Sequence, residues 1–354
     1  MKTKRILSFS IVIAFIFIIL YTILASRPLG KEYSFSPDWI IDVTDPQISD
    51  ITPDTESIYF KFGQSMGYFT KDGEISLFKS FPVKAAISDN YYALYTTEAE
   101  NFPFFDNRGN QQGIIKASGF PFFNEDRIYV FLPGGGSFST CNSQGDVIWT
   151  CENTIPITAF SSNENHTVCG YADGTIKVFG NSDGNVEINF VPGGSDYSVL
   201  YGLDISPDGQ YVASVSGLER QRFVLAHKED NQPKIIFHSF LNSDLTRRTF
   251  VKFSSDGKRV FYNYQDNLGI YDLEKNKNYT IPVNSKILNI EEADDLYFLL
   301  GKNNNEYTVY VIEKTNILEG SFSFTADSAF IKTYDNIIFV GKDSTISRIT
   351  IKKE

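Results

Sequence analysis

The sequence predicts an all-β chain folded as a ring of about eight four-stranded repeats behind one N-terminal membrane-spanning helix. Three observations predict it. A short unit of apolar bursts and polar turns recurs along the chain. Sustained helical periodicity is absent after residue 31. The first 26 residues carry a basic flank and a long uncharged run.

The N-terminal segment comes first in order. Lys2, Lys4 and Arg5 precede an uncharged stretch from Ile6 to Ser26. A helix needs about 20 apolar residues to cross the hydrocarbon core, and the basic flank keeps the N-terminus in the cytoplasm. A cleaved signal peptide is the rival reading. Its apolar region is usually shorter, and Ile23 before Ala25 and Leu24 before Ser26 make poor cleavage sites. No Cys follows the run, so lipoprotein processing is excluded. Residues 1–30 are read as cytoplasmic stub and anchor, 31–37 as a short tether, and 38–354 as the body. Both readings place the body outside the cytoplasm, on the periplasmic side of the membrane, or secreted if the segment is cleaved.

In the body, a turn with Asp or Asn precedes bursts beginning at Ile58, Tyr91, Ile128, Thr167, Tyr211, Arg259, Leu296 and Ile337. The eight starts lie 33 to 48 residues apart. Strand–turn–strand segments follow: GYFTKDGEISLF, PFFDNRGNQQGII, FSTCNSQGDVIW and IKVFGNSDGNVEINF. Their Asp/Asn/Gly turns have the chemistry of tight hairpins. Four short strands at such a period specify a propeller blade. Eight blades are expected, with seven as the alternative if one match is spurious. The segment ILNIEEADDLYFLL has some helical pattern but falls in the blade register. The last unit ends on a third strand, and SPDWIIDVTDP precedes the first unit as an orphan. Trp39–Thr44 is therefore expected to supply the missing outer strand and lock the ring, leaving no open edge.

SPDGQYVASVSG and SSDGKRVFYNYQDNLGIYDLEKN resemble WD-repeat blades, with Tyr271-Asp272 where those repeats place Trp-Asp. The Gly-His pair is absent, so the hydrogen-bond tetrad of that family is not expected. TCNSQGDVIWT is similar to quinoprotein-type repeats, DxxTGxxxW. The resemblance implies a WD-repeat or quinoprotein-like propeller. Quinoprotein dehydrogenases carry adjacent cysteines and a calcium site, and no Cys-Cys pair exists here, so their activity and cofactor are not carried over. Propellers of this shape also serve as envelope scaffolds, including in bacterial outer-membrane protein assembly.

Composition narrows the function. The chain has 354 residues, net charge −11, 31 Phe and 20 Tyr. Beyond residue 30 it holds 28 basic against 43 acidic residues. That disfavours nucleic acid, whose phosphates need a basic surface. Cys141, Cys151 and Cys169 match no zinc spacing; one disulfide with a free thiol, or three unpaired thiols, are both open. His166, His227 and His238 are too scattered for a metal cluster. No GxSxG, HExxH, P-loop or GxGxxG occurs. LPGGGSF and VPGGSDY read as turns, and Asp208 and Asp256 as caps of their turn backbones.

With inner-to-outer strands a to d, a–b and c–d turns share a regular face. The b–c and d–a loops share an irregular face, where loops carry binding. Two clusters are expected there. Arg220, Arg222, Arg247 and Arg248 form a basic docking site for an acidic partner, or are solvated and paired with Glu219 and Asp244. Phe102 and Phe120 form an apolar contact patch, or fill the space between blades. The function expected is a membrane-anchored, non-enzymatic scaffold or assembly factor that binds protein partners and takes no cofactor. A ligand-binding or sensory propeller is the alternative, followed by an enzyme with its site at the central channel.

Overall fold

A computed structural model of the protein describes residues 13–22, 32–52, 54–96, 100–229 and 232–353. Among these, the strands form eight sheets, seven of four strands and one of three. The count of eight blades is the one expected from the repeats.

The last blade is closed by the N-terminal strand. β1 (Tyr33–Asp42) pairs antiparallel with Thr345–Lys353, from Tyr33 opposite Lys353 to Asp42 opposite Thr345. The ring is thus locked by its two ends. The locking strand begins earlier than Trp39, and the expected tether is already strand from Tyr33. Residues 13–22 are helical and exposed. Among the described residues no helix is long and apolar enough to cross a membrane. The remainder of the anchor read at 6–26 lies outside the described residues.

Blade 1 corrects the four-strand expectation. It holds β2 (Ile58–Phe62), β3 (Ser65–Phe69) and β4 (Ile75–Ser80). The turn between β3 and β4 identifies which strand is missing. Gly73, Gly109 and Gly145 recur every 36 residues, each at φ near +90° (91°, 87° and 90°). Each closes the same turn, its N–H bonded to the carbonyl of Thr70, Asp106 or Asn142. In blades 2 and 3 that turn joins the third and outer strands. The bulge between β3 and β4 also matches those third–outer pairs. Among the described residues blade 1 therefore has strands b, c and d but no innermost strand a. The sequence template aligned Ile58 correctly with the second strands at Tyr91, Ile128 and the rest; what it missed is the empty position before it.

The core lies between blades. Eight apolar clusters among the described residues correspond to the eight blade junctions. Strand period 2 explains this: alternate residues face opposite neighbours. Outer strands also dock on the next blade's turn glycine. A Cβ on Gly184 would come within 2.6 Å of the Trp149 ring, and one on Gly73 within 3.2 Å of Trp39. Trp149 Nε1 donates to Asn181 O at 2.8 Å.

The expected turn caps are present. Asp256 Oδ1 accepts the Ser254 hydroxyl at 2.6 Å and the Lys258 N–H at 3.0 Å. Asp208 does the same with Ser206 and Gln210. Asp272 is buried, in a network other than the WD tetrad. It accepts from the Lys275 N–H and the Asn316 amide, with the Arg259 guanidinium 3.9 Å away. Arg259 also donates to Asn316, Tyr297 and the Lys314 carbonyl, tying blade 6 to blade 7. The three cysteines are buried and free.

Candidate functional site

The strongest exposed cluster lies at the irregular face of blades 4 and 5. The outer strand Gln232–Phe240 ends with Phe240 opposite Arg222. The Phe240 ring is 48% exposed. The Arg220 guanidinium lies over it, 4.6 Å from the centroid, and that of Arg222 at 5.7 Å. Arg222 Nη1 donates to the carbonyls of Pro192 and Gly193, 3.2 and 3.3 Å away. The d–a loop 191–199 is thereby held against the b–c loop 217–221. Backbone bonds reinforce it: Leu218 N–H to Tyr197 O and Gly217 N–H to Val199 O, both 3.0 Å. Tyr197, Val191 and Leu218 are exposed on the same pair of loops.

An arginine stacked on an exposed aromatic keeps most of its donors free while its planar face is buried. Arg220 forms no ion pair among the described residues, nor do Arg222, Arg247 and Arg248. The expected pairing with Glu219 and Asp244 is not made.

The four arginines fall into separate places. Arg220 and Arg222 share Phe240. Arg248 lines a cavity on the ring axis. Arg247 is exposed, its carbonyl accepting the Thr249 hydroxyl at 3.3 Å. Two hydrogen bonds join the loops: the Gln221 side-chain amide donates to Leu245 O, and the Leu241 N–H to Gln221 O at 2.8 Å.

The phenylalanine pair is only half a surface feature. Phe102 and Phe120 are neighbours through Tyr95, with centroids 6.0 and 6.5 Å from it. Phe102 opens a third strand, Phe102–Asp106, and its ring is 2% exposed in the core between blades 2 and 3. It offers no area to a partner. Phe120 is 43% exposed, with Lys84 Nζ 5.0 Å above its ring.

Sequence reading missed Phe240, Tyr197 and Val191. Phe240 sits where the outer-strand alternation turns outward, and its value comes from Arg220, twenty residues away. The available signal was an aromatic at a strand end opposite an arginine.

The whole chain, residues 1–354, matches a family model described as beta-propeller protein. An uncharacterized protein of Treponema pallidum (strain Nichols) is 28% identical over 362 residues, covering 99% of this chain and 96% of that one. Among solved structures, BamB from Moraxella catarrhalis superposes with a TM-score of 0.61 at 12% identity, covering 90% of this chain and 98% of that one. Sqt1 from Saccharomyces cerevisiae gives 0.65 at 10%, covering 91% and 100%. The computationally designed Ika8 protein gives 0.60 at 13%, covering 84% and 96%. These likenesses show the fold.

Proposed function

The chain belongs to the beta-propeller protein family, and we propose that it is a non-enzymatic scaffold that docks a protein partner on the irregular face of blades 4 and 5. The observation that carries this is the Arg220–Phe240–Arg222 stack beside exposed Tyr197, Val191 and Leu218. Exposed aromatics flanked by arginine are the residues on which interface energy concentrates. The complementary partner presents carboxylates beside an apolar side chain. The basic flank and uncharged run before Arg27 support tethering through residues 6–26, with the propeller on the extracytoplasmic side.

The test is crosslinking and pull-down from native membranes, comparing the wild type with Arg220→Glu/Phe240→Ser at matched thermal stability. A partner lost in the variant supports the reading. A partner retained moves the docking face elsewhere. No partner in either removes the scaffold. Protease accessibility of the propeller in intact and permeabilised cells tests its side of the membrane: digestion only after the cytoplasmic membrane is opened would refute the extracytoplasmic placement. A ligand-binding propeller is the second reading, favoured by the basic cavity on the axis.

A further inference from the structure

A cavity of about 420 Å³ lies on the ring axis, walled by residues from the inner strands of blades 3 to 7 and from the loop before blade 6. That volume is in the range of small-molecule sites, roughly 300–1,000 Å³. Arg248, Lys252 and Lys286 line it, and none forms an ion pair among the described residues. Asp204 is the one carboxylate in its wall among the described residues. Its Oδ1 accepts the Ser161 hydroxyl and its Oδ2 the Phe253 N–H at 2.6 Å, and one carboxylate against three cations leaves the wall with an excess of positive charge. Asp204 is 4% exposed, and burial pushes its carboxyl above the ordinary range despite Lys252, Ser161 and Phe253.

The local excess of positive charge stands against a net charge of −11 for the chain. Cations gathered in a concave site with low-dielectric walls focus their field on its interior. The apolar part of the wall is aromatic. Phe122, 40% exposed, meets Phe160 edge to face at 5.8 Å, and Phe250 joins the lining. A ligand satisfying both halves carries a charged head and a flat apolar body.

We infer that the axial cavity binds a small organic anion, its phosphate or carboxylate group held by Arg248, Lys252 and Lys286 and its apolar body against Phe122 and Phe160. This site is separate from the Arg220–Phe240 stack. The pull-down variant leaves all three cavity cations in place, so the two readings fail independently.

The test is calorimetric titration of the full-length protein with phenyl phosphate, with benzoate and with neutral benzyl alcohol. At least one anion is expected to bind a single site with Kd below ~1 mM, and benzyl alcohol to bind far more weakly. The tighter of the two anions tells a phosphate ligand from a carboxylate. Arg248→Gln/Lys286→Gln is expected to weaken binding about tenfold or more, since a hydrogen bond to a charged group contributes about 1.5–3 kcal/mol. Asp204→Asn, which leaves the cations and removes the nearby carboxylate, is expected to bind at least as tightly as wild type. No saturable binding of either anion overturns the inference. So does equal binding of benzyl alcohol, or affinity unchanged in a folded Arg248→Gln/Lys286→Gln protein.

Discussion

Lys332 Nζ stands 3.7 Å from Asp89 Oδ2, joining two blades that are not neighbours in the ring. Lys332 belongs to the inner strand of blade 8, Ala329–Tyr334, and Asp89 to the first turn of blade 2. Blade 1 lies between them. The contact exists because blade 1 has no inner strand, so the lysine reaches past β2, over the Tyr59 ring at 4.3 Å. Glu291 of blade 7 is 4.0 Å from the same nitrogen, and it also accepts from the Thr333 hydroxyl and N–H. One side chain therefore ties blades 7, 8, 1 and 2 together where the backbone does not.

Lys332→Met is expected to destabilise the propeller by about 2 kcal/mol. Breaking a buried pair costs roughly 3–5 kcal/mol, and Asp89 is partly exposed. Burial alone would lower the Lys332 pKa, but Tyr59, Glu291 and Asp89 leave it raised. Its stabilisation is therefore complete below the unfolded value of about 10.4 and is lost as pH rises through the folded one. Denaturant melts from pH 7 upward should show a constant gap between wild type and variant that closes only in strong alkali. Equal stability at pH 7 would mean that Lys332 holds nothing.

Ring closure makes an equally specific claim about Trp39. Its ring packs on Gly73 and lies 6.0 Å from Phe339. Trp39→Ala is expected to cost about 3 kcal/mol, the low end for a large aromatic. Ile40→Ala, on the same strand but 69% exposed, should stay within about 0.5 kcal/mol. Urea denaturation of both separates docking of the strand from mere presence of an apolar residue. Similar small losses would remove Trp39 as the lock.

Asp204 sets a pH slope of the same sign, at the acid end of the scale. Its raised pKa means that the folded state holds a proton that the unfolded state releases. Stability contributed by this group therefore falls as pH rises from about 3.9 to the folded value, then stays level. Asp204→Asn is expected to lack that slope and to gain on the wild type across the window. Thermal melts of both proteins between pH 4 and pH 8, each relative to its own value at the acid end, check it, using about those limits as the bracket. Parallel curves would show that Asp204 ionises freely when folded.

The fold was legible because turn chemistry and period-2 bursts are local. Asp106, Asn142 and Asp256 announce their turns by the residue type that caps them, and closure followed from counting strands at the two ends. The missing strand of blade 1 was not legible. The repeat template begins with the second strand, so a unit lacking its first still matches at Ile58. Phe102 met the alternative given for it, filling the space between blades 2 and 3: it begins a strand, whose successive residues face opposite sides. Arg248, Lys252 and Lys286 converge only because blades 5, 6 and 7 share an axis, a relation no linear spacing displays.

The pairing of Tyr33 with Lys353 spans 320 residues of chain. During synthesis the strand that must finish blade 8 emerges first, and its partner last. At about 5–20 residues per second, the interval is about 16–64 s. Through that time β1 presents an unsatisfied edge, with Trp39 and Ile41 uncovered, while the preceding blades assemble beside it. The strand that completes blade 8 in the finished ring thus leaves an edge exposed during its making. The vulnerable period of this protein is biosynthesis rather than its working life, and its yield in a cell will follow whatever shields that first strand.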